Sequence, residues 1–174
     1  RSVLMRLVLD IQSLQSDSRL RGIGRYTRSV IAELAAANPQ LELVLLLNGS
    51  YGDDSQALVE ELLTSIRGAL NTGASNKGTA TTGSTAIGAG LECVQCCLPT
   101  PTGAYDPSNL VRESLAELLR EAFIRELEPD LVHVFSVMEG YADNVVTSIG
   151  RLAVDYPVTA TFYDLIPLLN PEEY

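Results

Sequence analysis

The chain has 174 residues, 46% of them apolar, with 12 basic against 22 acidic side chains and a net charge of −10. That length suits one α/β domain, or part of a larger protein, and is enough to bury a core. The acidic balance argues against nucleic-acid binding, because no basic face is left to neutralise a phosphate backbone, and no run approaches the roughly 18 apolar residues that cross a bilayer.

Residues 3–9 (Val-Leu-Met-Arg-Leu-Val-Leu) read as a buried first strand, without the apolar core and small-residue cleavage site of a signal peptide. Four residues precede Met5, a candidate for the native start. Asp10 to Ser18 is polar and lacks a helical stripe. Gly22 and Gly24 then let the backbone turn tightly, and from Ile23 apolar residues at 23, 26, 30, 31, 34 and 35 predict a helix. Leu41–Leu47 is a second apolar strand, ended by Asn48-Gly49. A helix is predicted from Asp53 or Asp54 to Leu70, with Leu58, Val59, Leu62, Leu63 and Ile66 on one face. Residues 72–90 are nearly all Gly, Ala, Ser, Thr or Asn. Such a stretch cannot bury enough apolar surface to offset its ordering entropy, so it reads as a disordered loop. A flap near an acceptor or a membrane is the functional alternative. Leu91–Leu98 is a third strand. Asp106-Pro107 starts a helix, with Asp as N-cap and Pro at the first position. It runs to about Leu127 with Leu115, Leu118, Leu119, Ala122 and Phe123 expected inward, and Glu128-Pro129-Asp130 stops it. Leu131–Phe135 is a fourth strand, Asp143–Leu152 reads as a helix weakened by Gly150, and Val158–Tyr163 is a fifth strand.

Apolar strands alternating with helices imply an α/β fold, a doubly wound, Rossmann-like parallel sheet covered on both faces. Right-handed crossovers favour the order 3-2-1-4-5. In such sheets ligands bind beyond the C-terminal strand ends, which selects four loops: 10–25, 48–53, 136–144 and 164 onward. The first carries Asp10, Gln12, Gln15 and the turn Arg21-Gly22-Ile23-Gly24-Arg25. The third carries Ser136, Glu139, Gly140 and Tyr141, and the last follows Tyr163-Asp164. A glycine turn running into a helix N-terminus offers free N–H groups and a positive dipole end to an anion. Arg19, Arg21, Arg25 and Arg28 crowd that place in an otherwise acidic chain, so a phosphorylated ligand is one reading and a solvated helix face the other. The glycines do not make a dinucleotide fingerprint, because its third glycine would fall at Thr27. Three cysteines are an odd number in a long chain, which argues against a disulfide framework and for a reducing, cytoplasmic compartment. Adjacent Cys96 and Cys97 point to opposite sides of a strand, so Cys93, Cys96, Cys97 and His133 read as buried groups rather than a metal site.

Three segments together resemble a known family. Leu9-Asp10-Ile11-Gln12-Ser13-Leu14-Gln15 followed by Arg19-Leu20-Arg21-Gly22-Ile23-Gly24-Arg25-Tyr26 is similar to the N-terminus of retaining GT-B glycosyltransferases of family 4, mannosyltransferase-like members above all. Asp130–Gly140 is similar to that family's fourth strand and loop, and Thr161–Tyr174 to its Thr-x-His-Asp-x-Ile-Pro segment. The resemblance implies a single Rossmann-like, acceptor-side domain over residues 1–174, with the donor-binding C-terminal domain absent from this chain. It implies transfer of a hexose, mannose among the candidates, from a nucleotide-sugar donor to a saccharide or lipid-linked acceptor in polysaccharide biosynthesis. No cofactor and no metal are implied, and the isolated domain is expected to be inactive. A cytoplasmic location with peripheral contact at the inner face of the plasma membrane follows. Arg21, Gly22, Ile23, Gly24 and Arg25 are expected to meet the donor phosphate; Gln12, Glu139 and Gly140 to line the acceptor site; Asp164 and Tyr163 to be catalytic. For Glu139 a plain surface carboxylate, and for Asp164 a helix N-cap, stay open beside these roles. The family often has His where this chain has Tyr163, and a phenol does not titrate near pH 7. The rival reading is a non-catalytic α/β domain that binds a phosphorylated small molecule.

Overall fold

The computed structural model describes residues 4–38, 40–73, 91–163 and 169. Five parallel strands are joined by helices: β1 (Met5–Asp10), α1 (Gly22–Ala37), β2 (Leu41–Asn48), α2 (Asp53–Gly73), β3 (Leu91–Cys96), α3 (Leu110–Glu126), β4 (Leu131–Val134) and β5 (Val158–Ala160). The sheet order is β3-β2-β1-β4-β5, as the alternation of strand and helix predicts. β1 lies in the middle, with Leu9 opposite Leu45 on one side and His133 on the other.

Strand side chains alternate between two apolar layers. Leu7, Leu9, Leu43, Leu45 and Leu47 pack with Ile31 of α1 and Leu58, Leu62 and Ile66 of α2. Val8, Val44, Leu46 and Val132 pack on the other face with Ala116 and Ile124 of α3 and Val146. Both faces are covered, which is why the strands read as unbroken apolar runs.

The structure corrects several expectations. The first strand spans 5–10 rather than 3–9, so Asp10 is its last residue, and α2 continues through Gly73, past the expected end at Leu70. The rest of the glycine-rich stretch, residues 74–90, lies outside the described residues. The third and fifth strands stop at Cys96 and Ala160, short of 98 and 163. β4 offers β5 only Val132–Val134 to pair with, which limits that edge strand.

The other two corrections are larger. α3 buries Ala116, Arg120, Glu121 and Ile124, whereas Leu115, Leu118 and Leu119 are exposed. Asp106 does cap the entry, its carboxylate accepting from the Ser108 N–H at 2.9 Å, but over a short 3-10 turn ahead of α3. Asp143–Leu152 is not a helix. Gly150 there has a φ of +82°, and the segment's backbone groups are bonded by side chains of other elements. Val146 donates to Gln12 Oε1 at 3.1 Å and accepts from Gln12 Nε2 at 2.9 Å. Ser148 C=O accepts from Arg120, and the Leu152 N–H donates to Glu121. Among the described residues no helix is long and apolar enough to cross a membrane.

Candidate functional site

The sheet order reverses between β1 and β4, and the loops that leave these two strands diverge there. After β1 the chain makes two short 3-10 turns, Gln12–Leu14 and Asp17–Leu20, before α1. After β4 it runs on through Ser136 to Gly140. The loops meet at the Glu139 carboxylate. Ser18 Oγ donates to it at 2.9 Å, Ser16 Oγ at 3.2 Å and Ser136 Oγ at 3.2 Å. Three hydroxyls on one carboxylate fix its orientation and tie the two loops together. Gly140 follows with φ +94°, and a Cβ there would strike the Val145 carbonyl oxygen. Only glycine fits that turn.

Beside this clip lies an open cleft of about 370 Å³, lined by Gln15, Ser16, Asp17, Ser18, Arg21, Tyr51, Ala142 and Asp143. Three of the four loops picked out by the strand-end rule therefore converge on one cleft. The fourth, from Asp164, lies outside the described residues apart from Leu169. The lining is polar and mixed in charge, with two carboxylates, one guanidinium, two serine hydroxyls and a phenol. Tyr51 Oη accepts from the Asn144 N–H at 3.2 Å. Burial first, then the neighbouring Asp143 carboxylate, push the Tyr51 phenol far above its usual range, so the hydroxyl keeps its proton as a donor.

The arginine turn stands at the mouth of the cleft. Arg21 is the N-cap residue of α1, with no side-chain cap bond and no acidic residue in the first turn. The positive end of the helix is left uncompensated. Arg19, Arg21 and Arg25 are exposed and, among the described residues, unpaired, whereas Arg28 is bonded to Glu61 of α2. One of the four arginines is therefore structural. The glycines differ too. A Cβ at Gly24 would sit on the Arg19 carbonyl, so that glycine lets the 3-10 turn pack on the helix. A Cβ at Gly22 would meet nothing within 4 Å. Open space in front of Gly22 is what an incoming anion needs.

Gln12 is placed differently from its expected ligand-facing role. Its side chain is buried, and its amide is spent on Asp10 Oδ2 and on both backbone groups of Val146. It anchors the loop. Behind it Asp10, 2% exposed, is ion-paired with Arg120, 1% exposed. Arg120 Nε donates to Asp10 Oδ2 at 2.7 Å and Nη1 to the Ser148 carbonyl at 3.0 Å. Tyr163 is half-buried on α1, its hydroxyl 3.5 Å from Thr27 Oγ1 and its ring edge-on to Tyr26 at 5.6 Å. Burial raises its phenol, and Glu139 adds to the rise, as it does for Tyr51. His133 is half-buried rather than in the core, but both its ring nitrogens are engaged, with Thr159 at 2.9 Å and Thr161 at 3.0 Å. Of the three cysteines expected to be buried, only Cys96 is; Cys93 is half-buried, and Cys97, just past the end of β3, is exposed. Among the described residues no group of three His, Cys, Asp or Glu is placed to hold a metal ion.

Sequence reasoning missed Asp17, Tyr51 and Asp143 as cleft residues. Their signal was their place in the three selected loops, not any motif.

Over 170 residues the chain is 27% identical to the serotype-specific mannosyltransferase WbdA of Escherichia coli, a match that covers 98% of this chain and 18% of that protein. The chain is similar to a mannosyltransferase along almost its whole length. Two further Escherichia coli proteins of the same name are 36% identical over 74 residues, 42% of this chain and 9% of theirs. The chain thus spans less than a fifth of the relative that it matches from end to end. No family model matches the chain, and no solved structure does.

Proposed function

We propose that this chain is the acceptor-side domain of a retaining GT-B glycosyltransferase of family 4. The whole protein moves a hexose, mannose in the first instance, from a nucleotide-sugar to a saccharide or lipid-linked acceptor in polysaccharide biosynthesis. The observation that carries the reading is the end-to-end similarity to a mannosyltransferase in a chain with a polar cleft at its strand-order reversal. The three segments that resemble the family support the finer assignment.

In this reading the donor diphosphate faces Arg21, Arg25 and the amides of Gly22, Ile23 and Gly24. Bond cleavage at the sugar leaves negative charge on the departing phosphate. Guanidinium groups and a helix N-terminus stabilise that charge where it develops. The grip on the nucleotide belongs to a second domain outside this chain. The acceptor lies in the cleft, against the wall that Glu139 and Gly140 shape. Tyr163 donates a hydrogen bond, and Asp164 orients or deprotonates the acceptor hydroxyl. The protein works in the cytoplasm, as a peripheral partner of the inner membrane face when the acceptor is lipid-linked.

The test is transfer. The full-length protein carrying this chain, given nucleotide-activated mannose and an α-mannoside, is expected to lengthen the acceptor by one hexose. Arg21→Ala and Asp164→Asn should each lower kcat/KM by about 10²-fold, the scale of a lost electrostatic or acid–base group. Residues 1–174 alone should transfer nothing, because catalysis needs both halves positioned together. Absence of transfer from every nucleotide-activated hexose refutes the reading.

A further inference from the structure

Two exposed aromatic rings stand at the rim of the cleft, outside its lining. Tyr105 is 62% exposed and Tyr141 is 63% exposed. Exposure of this extent leaves most of each ring's apolar face open to a ligand. Their positions are fixed by backbone. The Ala104 N–H donates to the Gly140 carbonyl at 3.0 Å, and the Tyr105 N–H to the Tyr141 carbonyl at 2.9 Å. A Cβ built on Gly103 would lie 3.1 Å from the edge of the Tyr105 ring and 3.2 Å from the Asp143 carbonyl oxygen. The Tyr105 ring therefore sits beside the backbone of a cleft residue. Tyr141 is two residues from Asp143 in the same loop. Among the described residues neither ring packs on another aromatic ring, and neither hydroxyl has a hydrogen-bond partner.

We infer that Tyr105 and Tyr141 form a second saccharide subsite, a stacking platform for the next sugar of a neutral oligosaccharide whose end lies in the cleft. The inference rests on the saccharide-acceptor reading above. A pyranose has a hydroxyl-bearing edge and an apolar C–H face. The cleft offers the first what it needs: Asp17 and Asp143 as acceptors and Tyr51 as a donor. The two bare rings offer the second, because the negative face of an aromatic ring attracts the weakly positive C–H bonds. Two carboxylates against one arginine leave the lining acidic on balance, which disfavours a polyanionic chain and favours a neutral one. The rings lie beyond the cleft wall. One sugar seated among Asp17, Tyr51 and Asp143 does not cover them, whereas its neighbour in a chain does.

The experiment is calorimetric titration of the full chain with methyl α-mannoside and with an α-linked mannotetraose. The wild type is expected to bind the tetraose roughly tenfold more tightly than the monosaccharide, as two stacking contacts would give. Tyr105→Ala and Tyr141→Ala should each remove roughly threefold of that advantage and leave monosaccharide binding unchanged. Tyr105→Phe and Tyr141→Phe should keep it, since phenylalanine retains the ring face. Equal binding of the two sugars by the wild type, no binding of either, or alanine variants that keep the advantage overturns the platform. So does loss in the phenylalanine variants equal to that in the alanine ones. Hexose transfer by the full-length protein is read separately. Transfer without length-dependent binding rejects the platform alone, and length-dependent binding without transfer rejects the transferase reading alone.

Discussion

Removing Arg120 is expected to be the most damaging single change behind the cleft. Arg120→Met keeps the aliphatic stem and deletes the charge. Among the described residues it leaves the buried Asp10 carboxylate with two donors, the Gln12 N–H at 3.0 Å and Gln12 Nε2 at 3.1 Å. Breaking a buried pair by removing one partner costs about 3–5 kcal/mol, and the two remaining donors hold this case to about 3 kcal/mol. The Ser148 carbonyl, which accepted from Arg120 at 3.0 Å, loses a partner at a cost of about 1 kcal/mol. The total is about 4 kcal/mol. For a domain of this size each kcal/mol moves Tm by about 2–4 °C, so a fall of roughly 8–16 °C is expected. Urea denaturation followed by circular dichroism measures it. Asp10→Asn in the same chain removes the stranded charge, and the double variant should recover at least half of the loss. A single-variant loss below about 1 kcal/mol, or two losses that simply add, would show that the pair does not hold this part of the fold.

Two further outcomes concern stability. Gly24→Ala and Gly140→Ala should each destabilise by about 2 kcal/mol or more, one through a backbone clash and the other through a clash at positive φ, whereas Gly22→Ala should leave Tm nearly unchanged; equal Tm values for the three variants contradict the contrast. Burial lowers the His133 pKa in the folded state below its ordinary value of about 6.5. The unfolded chain then binds the proton more readily, so this contribution is complete above about pH 6.5 and is lost as pH falls from there through the folded pKa. His133→Gln should flatten that part of the stability profile, and an unchanged slope between pH 7 and pH 5.5 contradicts it.

The strands and their order were legible because a parallel sheet covered on both faces forces continuous apolar runs such as Leu43–Leu47. The buried face of α3 was not legible. Periodicity assigns leucines inward and charges outward, and here Arg120 and Glu121 point inward because Asp10 and the Leu152 N–H await them. Those partners are 110 and 31 residues away in sequence, out of reach of any local window. The segment after β4 misled for a related reason. Its apolar residues at 145, 146 and 149 fit a helical spacing, but its backbone finds partners in Gln12, Asn48 and Arg120 instead. At the site the arginine turn, Glu139 and Gly140 stood out by residue type and by loop. Asp17, Tyr51 and Asp143 did not, since an aspartate or tyrosine in a polar loop looks the same whether or not a cleft forms around it.

The stretch from Asn144 to Leu152 has a shape borrowed from side chains that belong to the turn after β1, to β2 and to α3. A helix can begin to form from its own bonds, whereas this stretch gains its bonds only after distant parts of the chain have come together, at the full entropic cost of closing those loops. It is therefore expected to assemble late and to open early. Its amides should exchange with solvent by local opening well before those of the central strands. Asp143 and Ala142 sit at its start, so one wall of the cleft is the part of the domain most readily loosened. A change at Arg120 or Gln12, though neither side chain reaches the solvent, would be felt there first.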